Sequence, residues 1–336
     1  MSFKRFDQED IAISAESIVA PAWSDQITTL TTMYSGSQAN ASSADYYYNI
    51  YSSASAGVGI GDVQFAVAYG NRKGSGSVNF SSTEVGKSPS SVIYGQYRTL
   101  VNGDEDTDFN FGAGTPTPDS IYAITVNRSR FKEKLLPGSF QLTLTSGSRT
   151  INLIDNSSIL TTLSYVDGGR VYDIVSGSLT GGVVPTTTFT AASGSFGKFL
   201  PDIGVLIFNA NALKNATFGI NLNVSESNNS NGNNKATFAT AVITGSNFSL
   251  RSEETVTSNY IFVRVRNGEF NYSTNPSNIT GSGELRHTVM VNTPQAYMTA
   301  VGLYNDNNDL LGVAKLSKPL LKDFTKEALV RIKLDF

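Results

Sequence analysis

Alternation of hydrophobic and polar residues is the strongest pattern along the chain, and its period of two predicts β-strands. In residues 62–69 the alternation places four side chains on one face: Val63, Phe65, Val67 and Tyr69. The same pattern predicts strands at residues 121–126, 140–145, 150–154, 170–175, 217–224, 236–244, 260–266, 285–291, 299–304, 310–316 and 329–334. Turn-forming residues separate 140–145 from 150–154, which predicts a hairpin.

Helical patterns are few. Residues 90–100 follow Ser88-Pro89 and place Ile93, Tyr97 and Leu100 on one side, which predicts a short helix. Residues 209–214 predict a single further turn. The expected fold class is therefore all-β, with β-sandwich-like domains, long loops and very little helix.

A stretch of small and polar residues interrupts the strand pattern at 176–197, where Ser and Gly predominate. Because such composition is typical of linkers, it predicts an N-terminal β domain at residues 1–190 and a C-terminal β domain at residues 191–336. A long loop inside one domain fits the same composition equally well. A length of 336 residues is compatible with either arrangement.

Composition excludes several classes of function. The net charge of −3 gives no electrostatic reason to expect nucleic acid or an anionic membrane as a partner. The chain contains no cysteine and one histidine, so thiolate metal sites, disulfides and polyhistidine sites are excluded. The start has no apolar run typical of a signal peptide, and the apolar run at 205–208 is far shorter than a membrane span. We expect neither an enzyme nor a cofactor.

Three features of the sequence are candidate sites. His287 falls on the apolar face of the strand predicted at 285–291, which favours a half-buried structural histidine. The acidic residues Asp104, Glu105, Asp106 and Asp108 could bind calcium, but they do not have EF-hand spacing. A solvated loop, or a contact for a basic partner, explains them as well. The tyrosines at 46–48 could form a glycan platform, although alternation favours an ordinary half-buried strand.

The last third of the chain carries the most specific motifs. They are Arg-Val-Arg-Asn-Gly-Glu-Phe-Asn-Tyr-Ser at 264–273, Val-Gly-Leu-Tyr-Asn-Asp at 301–306 and Leu-Leu-Gly-Val-Ala-Lys at 310–315. This region resembles the virion structural proteins of contractile-tailed bacteriophages, particularly the marine myoviruses of cyanobacteria. The segment from 301 to 315 is also similar to the attachment regions of phage tail-collar fibres. The resemblance implies a virion component of the tail or baseplate, without catalytic residues.

The C-terminal segment is the expected contact surface. Residues 329–334 alternate, and an uncovered edge strand readily recruits another chain. A central position in the chain's own sheet is the alternative. Several basic residues also gather here, and without interleaved aromatic residues they suit an acidic protein better than nucleic acid. The predicted interface residues are Lys315, Lys318, Lys322, Lys326, Val330, Arg331, Ile332, Lys333, Leu334 and Phe336.

The sequence thus predicts a structural protein of a bacteriophage virion, synthesised in the host cytoplasm and located in the particle. Its expected partners are other virion proteins and copies of itself. The alternatives are a receptor- or glycan-binding adhesin at a fibre tip, for which a host-surface receptor is the partner, and a head or neck decoration protein.

Overall fold

The computed structural model describes residues 4–37, 47–53, 61–76, 88–112, 118–183, 195–224, 233–273 and 275–335. Strands account for 46% of the chain and helices for 16%, which confirms the all-β fold class. The strands in chain order are β1 (Ile11–Pro21), β2 (Thr29–Leu30), β3 (Tyr34–Ser37), β4 (Tyr47–Tyr51), β5 (Val63–Asn71), β6 (Ser120–Val126), β7 (Lys134–Leu135), β8 (Gln141–Ser146), β9 (Arg149–Asp155), β10 (Ser164–Val166), β11 (Gly169–Ser178), β12 (Gly182–Val183), β13 (Gly197–Leu200), β14 (Val205–Asn209), β15 (Phe248–Ser249), β16 (Arg251–Val265), β17 (Gln295–Tyr304), β18 (Leu310–Asp323) and β19 (Ala328–Asp335). The helices are α1 (Pro89–Asn102), α2 (Ala210–Lys214), α3 (Asn233–Gly245) and α4 (Val289–Asn292).

The chain forms two compact units, and the division is not where the sequence predicted it. Unit 1 consists of Met1–Ser17 and Thr255–Phe336, and unit 2 is the intervening Ile18–Glu254. The predicted boundary after residue 190 lies inside unit 2. There β11 pairs antiparallel with β13, so backbone hydrogen bonds join the two sides of that boundary in one sheet.

Unit 2 is built on one large antiparallel sheet. Its strands follow the order β2-β15-β8-β9-β11-β13-β14-β6-β5-β4-β3, with β10 and β12 pairing to β11. The helix α3 packs against β8 near one end of this order and against β5, β4 and β3 near the other. Because one helix reaches both ends, the sheet curls around it, and α3 lies within the core.

The central strands are buried on both faces, which explains their nearly continuous apolar sequences. In β14 the side chains of Leu206 and Phe208 join the large core cluster that contains α3. Their neighbours Val205 and Ile207 join a second cluster, on the other face, beneath α1. The strand predicted around Phe65 is confirmed as β5.

Three predicted strands are wrong. Residues 236–244 belong to α3, because a short apolar run fits a buried helix as well as a strand. Residues 217–224 form turns and extended backbone, in which the N–H groups of Ile220 and Leu222 donate to the carbonyl of Leu213. Residues 285–291 contain one isolated bridge at Leu285 and most of α4. Helix is consequently more abundant than the sequence indicated.

Unit 1 packs two sheets face to face. β19 pairs antiparallel with β16 from Ser258↔Asp335 to Val265↔Ala328. β17 and β18 form a separate antiparallel hairpin. The apolar side chains of both layers meet in one cluster, whose members include Ile261, Val263, Leu303, Val330 and Ile332. This arrangement is a small β-sandwich.

Candidate functional site

The C-terminal strand β19 uses most of its apolar residues inside unit 1. Val330 and Ile332 are buried in the unit 1 core, and Leu334 packs against it. These three predicted interface residues are therefore covered by the β17–β18 hairpin. Among the described strands β19 pairs with β16 alone, so it is an edge strand. Its outer edge, not its apolar face, is the part open to another chain.

The other face of β19 carries two cations beside an aromatic ring. The guanidinium carbon of Arg331 lies 5.5 Å, and Nζ of Lys333 5.8 Å, from the ring centroid of Tyr260 on β16. Both distances are within the range of cation–π attraction. Lys333 Nζ is also 3.1 Å from the carboxylate of Asp335. The charges of this face are thus partly balanced within the strand pair.

Asp335 is held at the end of this strand pair by Ser258, which is buried. The Ser258 hydroxyl donates to Oδ1 of Asp335 at 2.6 Å. This hydrogen bond, followed by that from Lys333, holds the pKa of Asp335 below its ordinary value. We therefore expect Ser258→Ala to raise the pKa of Asp335, as measured by NMR titration of its carboxyl carbon.

The lowered pKa of Asp335 determines how the stability of the folded protein depends on pH. A lowered folded-state pKa stabilises the fold above the unfolded value of about 3.9, and that contribution is lost as pH falls through the lowered pKa. Hydrogen exchange at the end of the β16–β19 pair should accelerate over that acidic range in the wild type, and less in Ser258→Ala. An unchanged pKa in the variant would contradict this assignment. Lys333→Gln is a control that removes the charge of Lys333, and with it the ion pair to Asp335 and the contact with the Tyr260 ring, while the Ser258 hydrogen bond stays in place.

The other four predicted lysines fall into two groups. Lys315, Lys318 and Lys326 are exposed, and Lys326 lies 3.7 Å from the carboxylate of Asp323. Lys322 is fully buried, so its prediction as a surface cation is wrong. It lies on β18 where the strand passes under the loop that follows β16. Phe336 lies outside the described residues.

The hairpin has an exposed apolar face that the sequence reasoning missed. The pairs Ala300↔Lys315 and Gly302↔Val313 point away from the core, because the alternate pairs point into it. Leu311 and Val313 are 70% and 58% exposed. Tyr304 is exposed as well, and its ring lies against Gly302, where it would crowd any larger side chain. We call these positions the hairpin outer face: Ala300, Gly302, Tyr304, Leu311, Val313 and Lys315.

A signal for the hairpin outer face is present in the sequence. The alternation that predicted β17 and β18 also assigns every second residue to the opposite face. Apolar residues occupy both sets of positions in Leu310-Leu311-Gly312-Val313. A strand with apolar residues on both faces must either be central in a larger structure or expose one of them.

The carboxylates of the acidic loop after α1 have different partners. Asp108 accepts from Arg72 at 2.5 Å and lies 3.6 Å from Arg98. Asp104 accepts from the backbone N–H groups of Asp106 and Thr107. Across the described residues, no three acidic or histidine side chains come together as a metal-binding group. The calcium hypothesis therefore gains no geometric support.

The remaining candidates have structural positions. His287 is exposed and not on a strand, so its prediction as a half-buried strand residue is wrong. Tyr47 and Tyr48 lie on β4, where Lys235 Nζ is 5.5 Å from the Tyr48 ring centroid. Tyr46 lies outside the described residues. The tyrosines at 47 and 48 therefore occupy a strand, as alternation favoured.

Comparison with known proteins gave no relative. No family model matches the sequence. No curated protein matches it, and neither does any solved structure. In the part of the chain that the structure describes, no helix is both long and apolar enough to span a membrane.

Proposed function

We propose that the protein is a structural component of a bacteriophage virion, at the tail, baseplate or fibre attachment, and that it acts through contacts with neighbouring virion proteins. The observation that carries this proposal is the hairpin outer face. Its apolar centre at Leu311 and Val313 is exposed in the isolated chain. The sequence resemblance at 301–315 covers the same hairpin and supports a role in the virion.

The composition of this face suits a protein partner. Apolar and aromatic side chains surrounded by polar groups are typical of protein interfaces, with charged residues at the rim. Here Tyr304, Leu311 and Val313 supply the apolar centre, and Lys315 supplies a charge beside it. The free edge of β19 offers a second means of contact in the same unit, since an unpaired strand can extend a neighbour's sheet.

The test is incorporation of the protein into particles. We expect mass spectrometry of purified virions to detect the wild-type chain. A double variant, Leu311→Asp and Val313→Asp, should be incorporated at least about tenfold less, corresponding to roughly 1.4 kcal/mol of lost contact energy. The reason is that each aspartate would have to be desolvated at the contact.

A matched control distinguishes contact from folding. Ile159 is 61% exposed in unit 2, so Ile159→Asp makes the same kind of change at a residue that is not part of the hairpin outer face. It should be incorporated like the wild type, and all variants should show wild-type circular dichroism. Absence of the wild-type protein from particles would refute the virion role. Normal incorporation of the double variant would refute this face as the contact.

A further inference from the structure

Lys322 is a buried amine with an unusual set of neighbours. Its side chain is 0% exposed. Nζ donates to the backbone carbonyls of Asn267 and Asp323, both at 2.9 Å, and to the side-chain Oδ1 of Asn271 at 2.7 Å. All three acceptors are neutral, and none of the ion pairs within the described residues includes Lys322. An ammonium ion buried among neutral groups is costly, so this environment favours chemistry that removes the charge.

The carboxamide of Asn271 is equally enclosed and is fixed in orientation. Asn271 is 3% exposed. Its Nδ2 donates to the carbonyl of Asn267 at 2.7 Å, which leaves Oδ1 facing Lys322. With a C=O bond of about 1.2 Å, a 2.7 Å contact at Oδ1 places Nζ roughly 3–4 Å from the carboxamide carbon Cγ. Reacting atoms in a near-attack geometry are about 3–3.5 Å apart.

We propose that Lys322 and Asn271 form an intrachain isopeptide bond. Nζ first gives one proton to water, and the resulting neutral amine attacks Cγ of Asn271 to form a new C–N bond. The bond from Cγ to Nδ2 then breaks, Nδ2 takes the second proton that Nζ loses and leaves as ammonia, and the ammonia takes up the first proton from water. In total, one ammonium group and one carboxamide become one secondary amide and one ammonium ion. The reaction requires no oxidant, reductant or cofactor.

The bond would serve unit 1 as a cross-link. It would join β18 to the loop that follows β16, and so tie the hairpin to the β16–β19 pair. The unit 1 core is small, and the chain has no cysteine with which to form a disulfide. A covalent link between distant positions restricts the unfolded chain and thereby stabilises the fold. This inference is independent of the proposed virion role.

Mass spectrometry of the intact full-length protein tests the proposal. After incubation at neutral pH, we expect a mass lower than that of the sequence by one ammonia. Tryptic digestion should then yield a branched peptide that joins residues 267–286 to residues 316–326, because an acylated Lys322 is no longer cut. A folded protein that keeps its full sequence mass, and that trypsin cuts after Lys322, would overturn the proposal.

Two controls address other losses of ammonia and the roles of the residues. Asn-Gly pairs such as Asn267-Gly268 also lose ammonia on cyclisation, but they give no branched peptide. Lys322→Arg keeps the positive charge and hydrogen-bond donors but lacks the nucleophilic amine, so its mass should equal that of its sequence. A branched peptide in Lys322→Arg would contradict the assignment of Nζ.

Discussion

Replacing Phe238 by alanine should lower the free energy of unfolding of unit 2 by about 3–5 kcal/mol. Phe238 is fully buried on α3. Its ring stacks on Tyr122 with centroids 4.5 Å apart and contacts Phe208 at 5.4 Å. Because α3 fills the inside of the curled sheet, the cavity cannot collapse without moving several strands, and a cost near the upper end is expected.

The measurement can follow unit 2 alone. Trp23, the only tryptophan, is buried in the same core beside Phe65 and Phe248, so its fluorescence reports unfolding of unit 2. The denaturant midpoint gives the change in stability. Phe238→Leu, which keeps most of the volume, should cost less than about 1.5 kcal/mol. Equal costs for the two variants would show that the ring does not fill the core.

Gly197→Ala should destabilise unit 2 by about 3 kcal/mol, although it adds one methyl group. Gly197 lies on β13 between β11 and β14, where it pairs with Ile174 and Phe208. A Cβ atom here would overlap the backbone carbonyl oxygen of Ile207. A backbone carbonyl in the middle of a sheet cannot rotate away as a side chain can. The hydrogen-bonded pairing of β13 with its neighbours must therefore shift.

The matched control is the same substitution at Gly95. This glycine lies within α1, and a Cβ atom there meets nothing within 4 Å. Because alanine favours the helix over glycine, Gly95→Ala should stabilise the protein by roughly 0.5–1 kcal/mol. The two variants should therefore shift the denaturant midpoint in opposite directions. A shift of the same sign would contradict the packing at Gly197.

Strands whose two faces differ were predictable from the sequence. In β5 the residues Phe65, Val67 and Tyr69 do point into the core together. The hairpin of β8 and β9 lies where alternation and turn residues placed it, and β17 and β18 contain the strands that alternation predicted at 299–304 and 310–316. These elements follow local rules, because the period of two and the turn chemistry both act over a few residues.

The predictions were wrong where contacts between distant parts of the chain determine the structure. Residues 236–244 are rich in Thr, Val and Ile, which favour strands, yet the interior of a curled sheet accommodates a helix there. The division into units was missed because unit 1 is assembled from both ends of the chain, and single-sequence patterns carry no information about such pairing. The burial of Lys322 was missed for the same reason, since two of its three acceptors, on Asn267 and Asn271, lie in another segment.

Because unit 1 is built from two separate segments of the chain, the ribosome synthesises its two parts at different times. On the ribosome residues 11–17 of β1 emerge before unit 2, whereas residues 255–265 of the partner strand β16 follow only after unit 2 has been translated. Unit 2 can therefore fold while residues 11–17 of β1 are still unpaired. Chaperones that shield extended apolar segments would therefore act on this N-terminal strand, and a slow ribosome would lengthen its exposure.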